Sequence, residues 1–178
     1  MTWLNEPKRW SETAAGLDVS PDVGSDFWRI TDYGFIHDNG HARLEPVAGD
    51  FAASVEITAD YRAQYDQAGL MIRMDAENWL KTGIEYVDGR CFLSAVVTRG
   101  FSDWSVVPLA RCPATLGVRI RRTGDTVVIE TSTDREPFQI LRITHLPAGA
   151  ESGVGPTCCA PTKAGFTARF TDFNLEHR

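Results

Sequence analysis

Residues 115–132, TLGVRIRRTGDTVVIETS, decide the fold class. Leu116, Val118 and Ile120 recur at every second position, alternating with Gly117, Arg119 and Arg121, the period of a strand that has one apolar and one wet face. A second β-branched run starts after Gly124-Asp125, and such a pair between two alternating runs suits a tight hairpin turn. The segment is expected to be an antiparallel hairpin with Leu116, Val118 and Ile120 facing inward. Arg119, Arg121 and Arg122 are the most basic local cluster, and the simplest role for Arg119 and Arg121 is to keep the outer face solvated.

Outward from this hairpin the same signals repeat. Asp88-Gly89 is a strong turn dipeptide between the runs IEYV and CFLSAVV, which makes residues 84–97 a second hairpin. Residues 61–81, YRAQYDQAGLMIRMDAENWLK, have the length of a helix, but Gly69 inside one would cost about 1 kcal/mol relative to alanine. Leu70, Ile72 and Met74 alternate with Met71, Arg73 and Asp75, so a strand followed by a turn at Asp75–Asn78 fits better. Extended along the chain, this reading gives about 13 short strands, near Thr13–Val19, Phe27–Thr31, Ala42–Pro46, Phe51–Asp60, Ala68–Met74, Asn78–Val87, Cys91–Thr98, Ser102–Leu109, Thr115–Arg122, Thr126–Ser132, Phe138–Thr144, Gly153–Cys158 and Gly165–Leu175. That many strands in one small domain imply an all-β fold of two antiparallel sheets packed face to face. The first dozen residues read as a segment that wraps the body rather than one that joins a sheet.

A chain of 178 residues with 43% apolar content supports one sizeable core, so residues 1–178 are expected to form a single domain. The 24 acidic and 18 basic residues give a net charge of −6 and are scattered, with no basic tract dense enough to neutralise a row of phosphates. A nucleic-acid partner is not expected. The opening MTWLNEPKRWSETAAG lacks the charged start, apolar stretch and small-residue cleavage site of a secretory signal, and no apolar run approaches the roughly 20 residues that span a bilayer. The expected location is the cytoplasm, with no membrane partner. Adjacent Cys158 and Cys159 make an awkward disulfide framework, so Cys91, Cys112, Cys158 and Cys159 are expected to be reduced. The cysteines and histidines lack the short spacings of a zinc site, and no metal or other cofactor is expected.

Several strings are more particular: SDFWRIT, DNGH, QAGLMIR with NWLKTGIEYVDG, RGFSDWS, VRIRRTGDTVVIETSTD and VGPTCCAPTKAGFTARFTDF. Together they resemble the domain-of-unknown-function family allied to the regulation-of-enolase proteins, in the concanavalin A-like lectin and glucanase superfamily. The resemblance runs from about Trp3 to Leu175 and is most specific in the centre. It implies a jelly-roll β-sandwich, a fold whose concave sheet face is the customary ligand site, and for activity it implies little; a lectin-like, carbohydrate-binding role is expected only together with the side chains of that face. The chain departs from the family after DNGH, where the usual aromatic-rich stretch reads ARLEPV.

Alternation indicates which side chains reach such a face. In Asn78–Val87, Leu80, Ile84 and Tyr86 form the apolar set, which leaves Trp79, Lys81, Gly83 and Glu85 opposite. With the preceding strand in phase, Met71 and Arg73 join them. An indole beside charged groups suits a sugar, because the ring stacks on the apolar face of a pyranose while charged ends bond its hydroxyls. The competing explanation is a solvated salt-bridge face with Trp79 capping a sheet edge. On the binding reading Trp79→Ala abolishes binding and leaves the melting temperature nearly unchanged. Glycine at position 83 leaves a hollow that something else can approach. Trp28 and Trp104, each beside an aspartate, are further candidates, as is His41 in the turn-rich stretch from His37; the tryptophans also fit a packing role.

Glycoside hydrolysis needs two carboxylates about 5–10 Å apart. The superfamily's glucanases carry them as Glu-x-Asp-x-Glu, which this chain lacks, and no hydrolase elbow or phosphate-binding glycine loop occurs. The expected function is therefore a non-catalytic domain that binds a carbohydrate or sugar phosphate through Arg73, Trp79, Lys81, Glu85, Trp28, Trp104 and His41. The alternatives are a protein-interaction module that adjusts a metabolic-enzyme partner, and a sugar-processing enzyme that uses Glu85 with a carboxylate from a distant strand.

Overall fold

Asp88 and Gly89 both adopt positive φ, 49° and 77°, the combination that a two-residue hairpin turn requires. They join β9 (Asn78–Val87) to β10 (Arg90–Arg99) with Val87 opposite Arg90. In the computed structural model, which describes residues 1–149 and 151–178, the order before them is β1 (Thr2–Leu4), β2 (Arg9–Thr13), β3 (Gly16–Ser20), β4 (Phe27–Arg29), β5 (Ile36–Asp38), β6 (His41–Val47), β7 (Phe51–Ala59) and β8 (Gln67–Arg73). After them come β11 (Phe101–Pro108), β12 (Leu116–Thr123), β13 (Thr126–Thr133), β14 (Gln139–His145), β15 (Ser152–Cys159) and β16 (Ala168–His177).

Seven strands form a front sheet in the order β1-β6-β15-β8-β9-β10-β11, seven form a back sheet in the order β14-β13-β12-β7-β16-β3-β2, and β4 and β5 pair only with each other. The sheets face one another as a sandwich. Leu70, Ile72, Leu80 and Ile84 of the front sheet share one core with Val55, Ile57, Leu116, Val118, Ile120 and Ile129 of the back sheet. Each such side chain contributes about 1.5–3 kcal/mol by leaving water.

Arg122 continues the inward row of β12 and is buried, donating to Ser152 Oγ and Gly124 O, while Arg119 and Arg121 stay outside and clasp Glu130. The first dozen residues do join sheets, β1 along β6 and β2 along β3, so they close one edge of each layer instead of wrapping the body.

The expectation of reduced thiols fails for one pair. Cys91, inward at the start of β10, is disulfide-bonded to Cys112 in the connection after β11, 21 residues on. Cys158 and Cys159 are free and buried, and burial pushes both thiols up, Cys159 to about 12, which leaves them protonated and unreactive at neutral pH. Reduction of the disulfide, or Cys112→Ser, should lower the unfolding free energy by about 3 kcal/mol, the scale for a loop of this length. Denaturant titration with and without reductant measures the difference, and identical midpoints would show that the bond contributes nothing.

Candidate functional site

Strand registers set the outer face of the front sheet. Lys81 lies between Met71 and Val96, and Val96 faces Trp104; the level on one side carries Arg73, Trp79, Thr98 and Ser102, and on the other side the level of Gly69, Gly83 and Ser94 is followed by that of Gln67, Glu85 and Phe92. The pleat therefore does bring Arg73, Trp79, Lys81 and Glu85 to one face. Over part of it folds the β4–β5 hairpin. Phe27 is pressed onto Trp79 with ring centroids 5.9 Å apart, Arg29 N–H donates to Ser102 Oγ at 2.9 Å, and Trp28 meets Trp104 edge-on at 6.4 Å. Phe27, Ala42, Met71, Trp79, Val96 and Cys159 make a second apolar cluster under this cover.

Beside that cluster, hairpin and sheet leave a cavity of about 350 Å³. Its walls are Trp28, Tyr33, Phe35 and Trp104, its rim carries His37, Tyr65 and Pro161, and Asp26, Lys81, Glu85 and Val96 reach its base. Tyr33 and Phe35 stack at 5.2 Å and stay 51% and 41% exposed, unusual for aromatic rings unless something else covers them.

A polar network fixes the base. Lys81 Nζ donates to Gln67 Oε1 at 2.6 Å and to Asp26 Oδ1 at 3.1 Å; Asp26 Oδ1 also accepts from Phe27 N at 2.8 Å and Gln67 Nε2 at 3.3 Å. Glu85 Oε2 accepts from Ser94 Oγ at 2.7 Å and from Trp104 Nε1 at 2.9 Å. These bonds use one oxygen of each carboxylate and two of the three ammonium protons, so each group keeps hydrogen-bonding capacity for the cavity. Burial is the largest influence on Lys81 and opposes its charge, yet Asp26 and Glu85 around it hold the ammonium above the usual lysine value. Burial also dominates at Glu85 and raises its carboxyl, against the pull of Lys81 and the Ser94 hydrogen bond.

Of the seven residues picked from sequence, Trp28, Lys81, Glu85 and Trp104 line this cavity. Three do not. Trp79 is only 1% exposed, beneath Phe27, which corrects the expectation that its indole projects into solvent. Arg73 makes a two-pronged ion pair with Asp38, at 2.7 and 2.8 Å, over the Phe27 ring, and so pins the hairpin. His41 is buried, its Nε2 accepting from Asp22 N at 3.0 Å and its Nδ1 donating to Asn5 O, an arrangement that ties the segments following β1 and β3 to the start of β6. The hollow expected at Gly83 is filled by backbone, since a Cβ there would fall 2.1 Å from Ala68 O on the facing strand. What space remains nearby is about 20 Å³, enough for one water.

Asp26, Tyr33, Phe35 and Tyr65 were missed as site residues. The string TDYGF between two short strands was the available signal, aromatic residues in a turn where packing does not require them.

Comparison with known proteins agrees with this architecture. The chain is 36% identical over 174 residues to "Regulation of enolase protein 1" of Saccharomyces cerevisiae, covering 98% of this chain and 88% of the relative. A crystal structure of a functionally unknown protein from Saccharomyces cerevisiae superposes with a TM-score of 0.95 at 35% identity, covering 99% of this chain and 96% of that one. The carbohydrate-binding module CBM66 from Bacillus subtilis superposes with a TM-score of 0.63 at 16% identity, covering 99% and 97%, a likeness of jelly-roll fold alone. Residues 3–178 match the family described as "Protein of unknown function (DUF1349)", and the chain belongs to that family.

Proposed function

We propose that this is a non-catalytic binding domain that takes a neutral carbohydrate in the cavity between the β4–β5 hairpin and the front sheet. The observation that carries the reading is the pairing of exposed aromatic walls with a base that offers both donors and acceptors. Trp28 and Trp104 suit the apolar faces of a sugar ring, while Lys81, Asp26 and Glu85 suit its hydroxyls. A sugar phosphate fits less well, because Lys81 is the one lysine or arginine among the described residues that line the cavity and two carboxylates line it too. The carbohydrate-binding module with the same fold supports the reading by analogy.

A thermal-shift screen with sugars and sugar phosphates tests it. A sugar that prefers the native state stabilises it by about 2.7 kcal/mol at a hundredfold excess over its dissociation constant. Trp28→Ala should weaken that sugar at least tenfold with little change in the unbound melting temperature, since Trp28 is half-buried and its own hydrogen bond goes to Thr31 within the hairpin. Phosphates stabilising where sugars do not would reject the preference for a neutral ligand.

Asp26 favours a second reading. It supplies, from the hairpin, a second carboxylate in Glu85's cavity, as a sugar-processing enzyme would use, with the raised Glu85 carboxyl as acid. Turnover of any glycoside that is lost in Glu85→Gln would establish it. The name of the yeast relative supports a third, a regulatory partner among metabolic enzymes.

A further inference from the structure

Half of the large apolar side chains that stay exposed among the described residues lie on one side of the sandwich: Phe101, Val106 and Val107 on β11, and Phe138, Ile140 and Ile143 on or just before β14. β11 ends the front sheet and β14 ends the back sheet. The two edges adjoin, because Arg142 of β14 reaches across to Ser105 and, at 3.1 Å, to Asp103 on β11. An open sheet edge is a template for further pairing unless something blunts it. The opposite side is blunted: β1 is three residues long, β2 carries Arg9 and Glu12, and the Trp3–Trp10 contact and an Arg43–Glu12 ion pair close the seam between them. β14 is blunted too, by the bulge in its pairing with β13 and by Arg142, which points inward opposite Ile129. β11 has neither device. Its eight residues keep an unbroken register with β10, and its one charged residue, Asp103, is already paired with Arg142.

Asp103 and Ser105 lie opposite Val97 and Ala95 of the core, so Phe101, Asp103, Ser105 and Val107 are on the side of the front sheet that faces the back sheet. Ser102, Trp104 and Val106 are on the outer side. Residues of both rows, Phe101 to Trp104, line an open groove of about 640 Å³ whose other wall includes the hairpin tip, Thr31 to Tyr33. A groove lined from both faces of a sheet runs along its edge, where a next strand would lie.

We propose that this edge pairs antiparallel with β11 of a second copy of the chain, about a two-fold axis at Trp104, which joins two front sheets into one. With Trp104 on the axis, Phe101 meets the partner's Val107 and Asp103 meets the partner's Ser105. An axis at Asp103 would set two carboxylates opposite each other, and one at Ser105 would set Asp103 against a valine. Cross-strand apolar pairs stabilise a sheet and like charges opposite each other destabilise it, so the register at Trp104 is the favoured one. The chain carries a net charge of −6, but Asp103 and Arg142 cancel at this edge, so two copies meet here without strong repulsion. A stable interface buries about 800 Å² per partner. Ile140 and Ile143, 60% and 62% exposed on the adjoining β14, add apolar surface to that of β11.

Sedimentation velocity across a concentration series tests the pairing. The protein should sediment at twice its chain mass of 19.7 kDa. Phe101→Lys combined with Val107→Lys should return it to the monomer with an unchanged circular dichroism spectrum, since both side chains are exposed. The register has its own readout: Phe101→Cys combined with Val107→Cys should give a covalent dimer on mild oxidation, while either change alone should not. A monomer at every concentration, or a dimer that persists in the double lysine variant, would overturn the proposal. Cross-linking by Phe101→Cys alone, equal to that of the pair, would overturn the axis at Trp104.

Discussion

Trp79→Ala should destabilise the protein by about 3–5 kcal/mol, the cost of deleting a fully buried large aromatic side chain. In a domain of this size that is a fall of roughly 6–20 °C in melting temperature. The ring is the largest fully buried side chain of the chain's described residues, held between Phe27 of the hairpin and Met71 and Val96 of the sheet. The Lys81 ammonium sits 5.9 Å from its centroid, so the indole face also shields a buried charge. Removing it opens a void at the joint between hairpin and sheet, and the hairpin carries Asp26, Trp28, Tyr33 and Phe35 of the cavity. Ligand affinity should therefore fall together with stability, unlike Trp28→Ala, where affinity falls alone. Urea unfolding monitored by far-ultraviolet circular dichroism measures the loss, and a value below about 1 kcal/mol would mean that the indole is wet and that Phe27 does not cover it.

The contrast between these two tryptophans marks how far the sequence reaches. Alternation fixed which face Trp79, Lys81, Glu85, Arg73 and Met71 occupy, because the pleat has a period of two whatever lies above the sheet. What covers a face is a separate, non-local fact. Phe27 arrives from a hairpin whose second strand, Ile36–Asp38, is three residues long and too short to show a period. The same hairpin brings Asp26 to Lys81, which turns a row of charges into a buried network with an aromatic roof. Gly83 misled for a related reason: a missing side chain is read as a vacancy, whereas Gly69 directly opposite lets the two backbones close into that space. The strands Thr2–Leu4 and Arg9–Thr13 lack a clean apolar alternation because they lie at sheet edges with mostly exposed side chains.

Lys81→Met should cost about 3–5 kcal/mol near neutral pH, because it keeps the shape of the side chain and leaves Asp26 and Glu85 without their countercharge in a buried site. The loss should depend on pH in a defined direction. Glu85 already has a folded-state pKa above its unfolded value of 4.5, with burial the main cause and Lys81 the first opposing influence. A carboxyl raised in this way favours the fold in its neutral form: the contribution is complete below pH 4.5 and is lost as pH rises through the folded value. Removing Lys81 raises that folded value further and enlarges the loss at neutral pH. The stability gap between variant and parent should therefore be widest near pH 7 and narrow toward pH 4.5, measured by urea unfolding across a pH series. Asp18 and Glu130, whose carboxyls are lowered by hydrogen bonds from Arg169 and from Arg119 and Arg121, lose stabilisation in acid in both proteins and cancel from the difference. Glu85→Gln added to Lys81→Met removes one of the stranded charges and should recover part of the loss at neutral pH. A gap independent of pH, or a double variant no more stable than Lys81→Met, would mean that the ammonium is held for its packing and not for the two carboxylates that meet it at the base of the cavity.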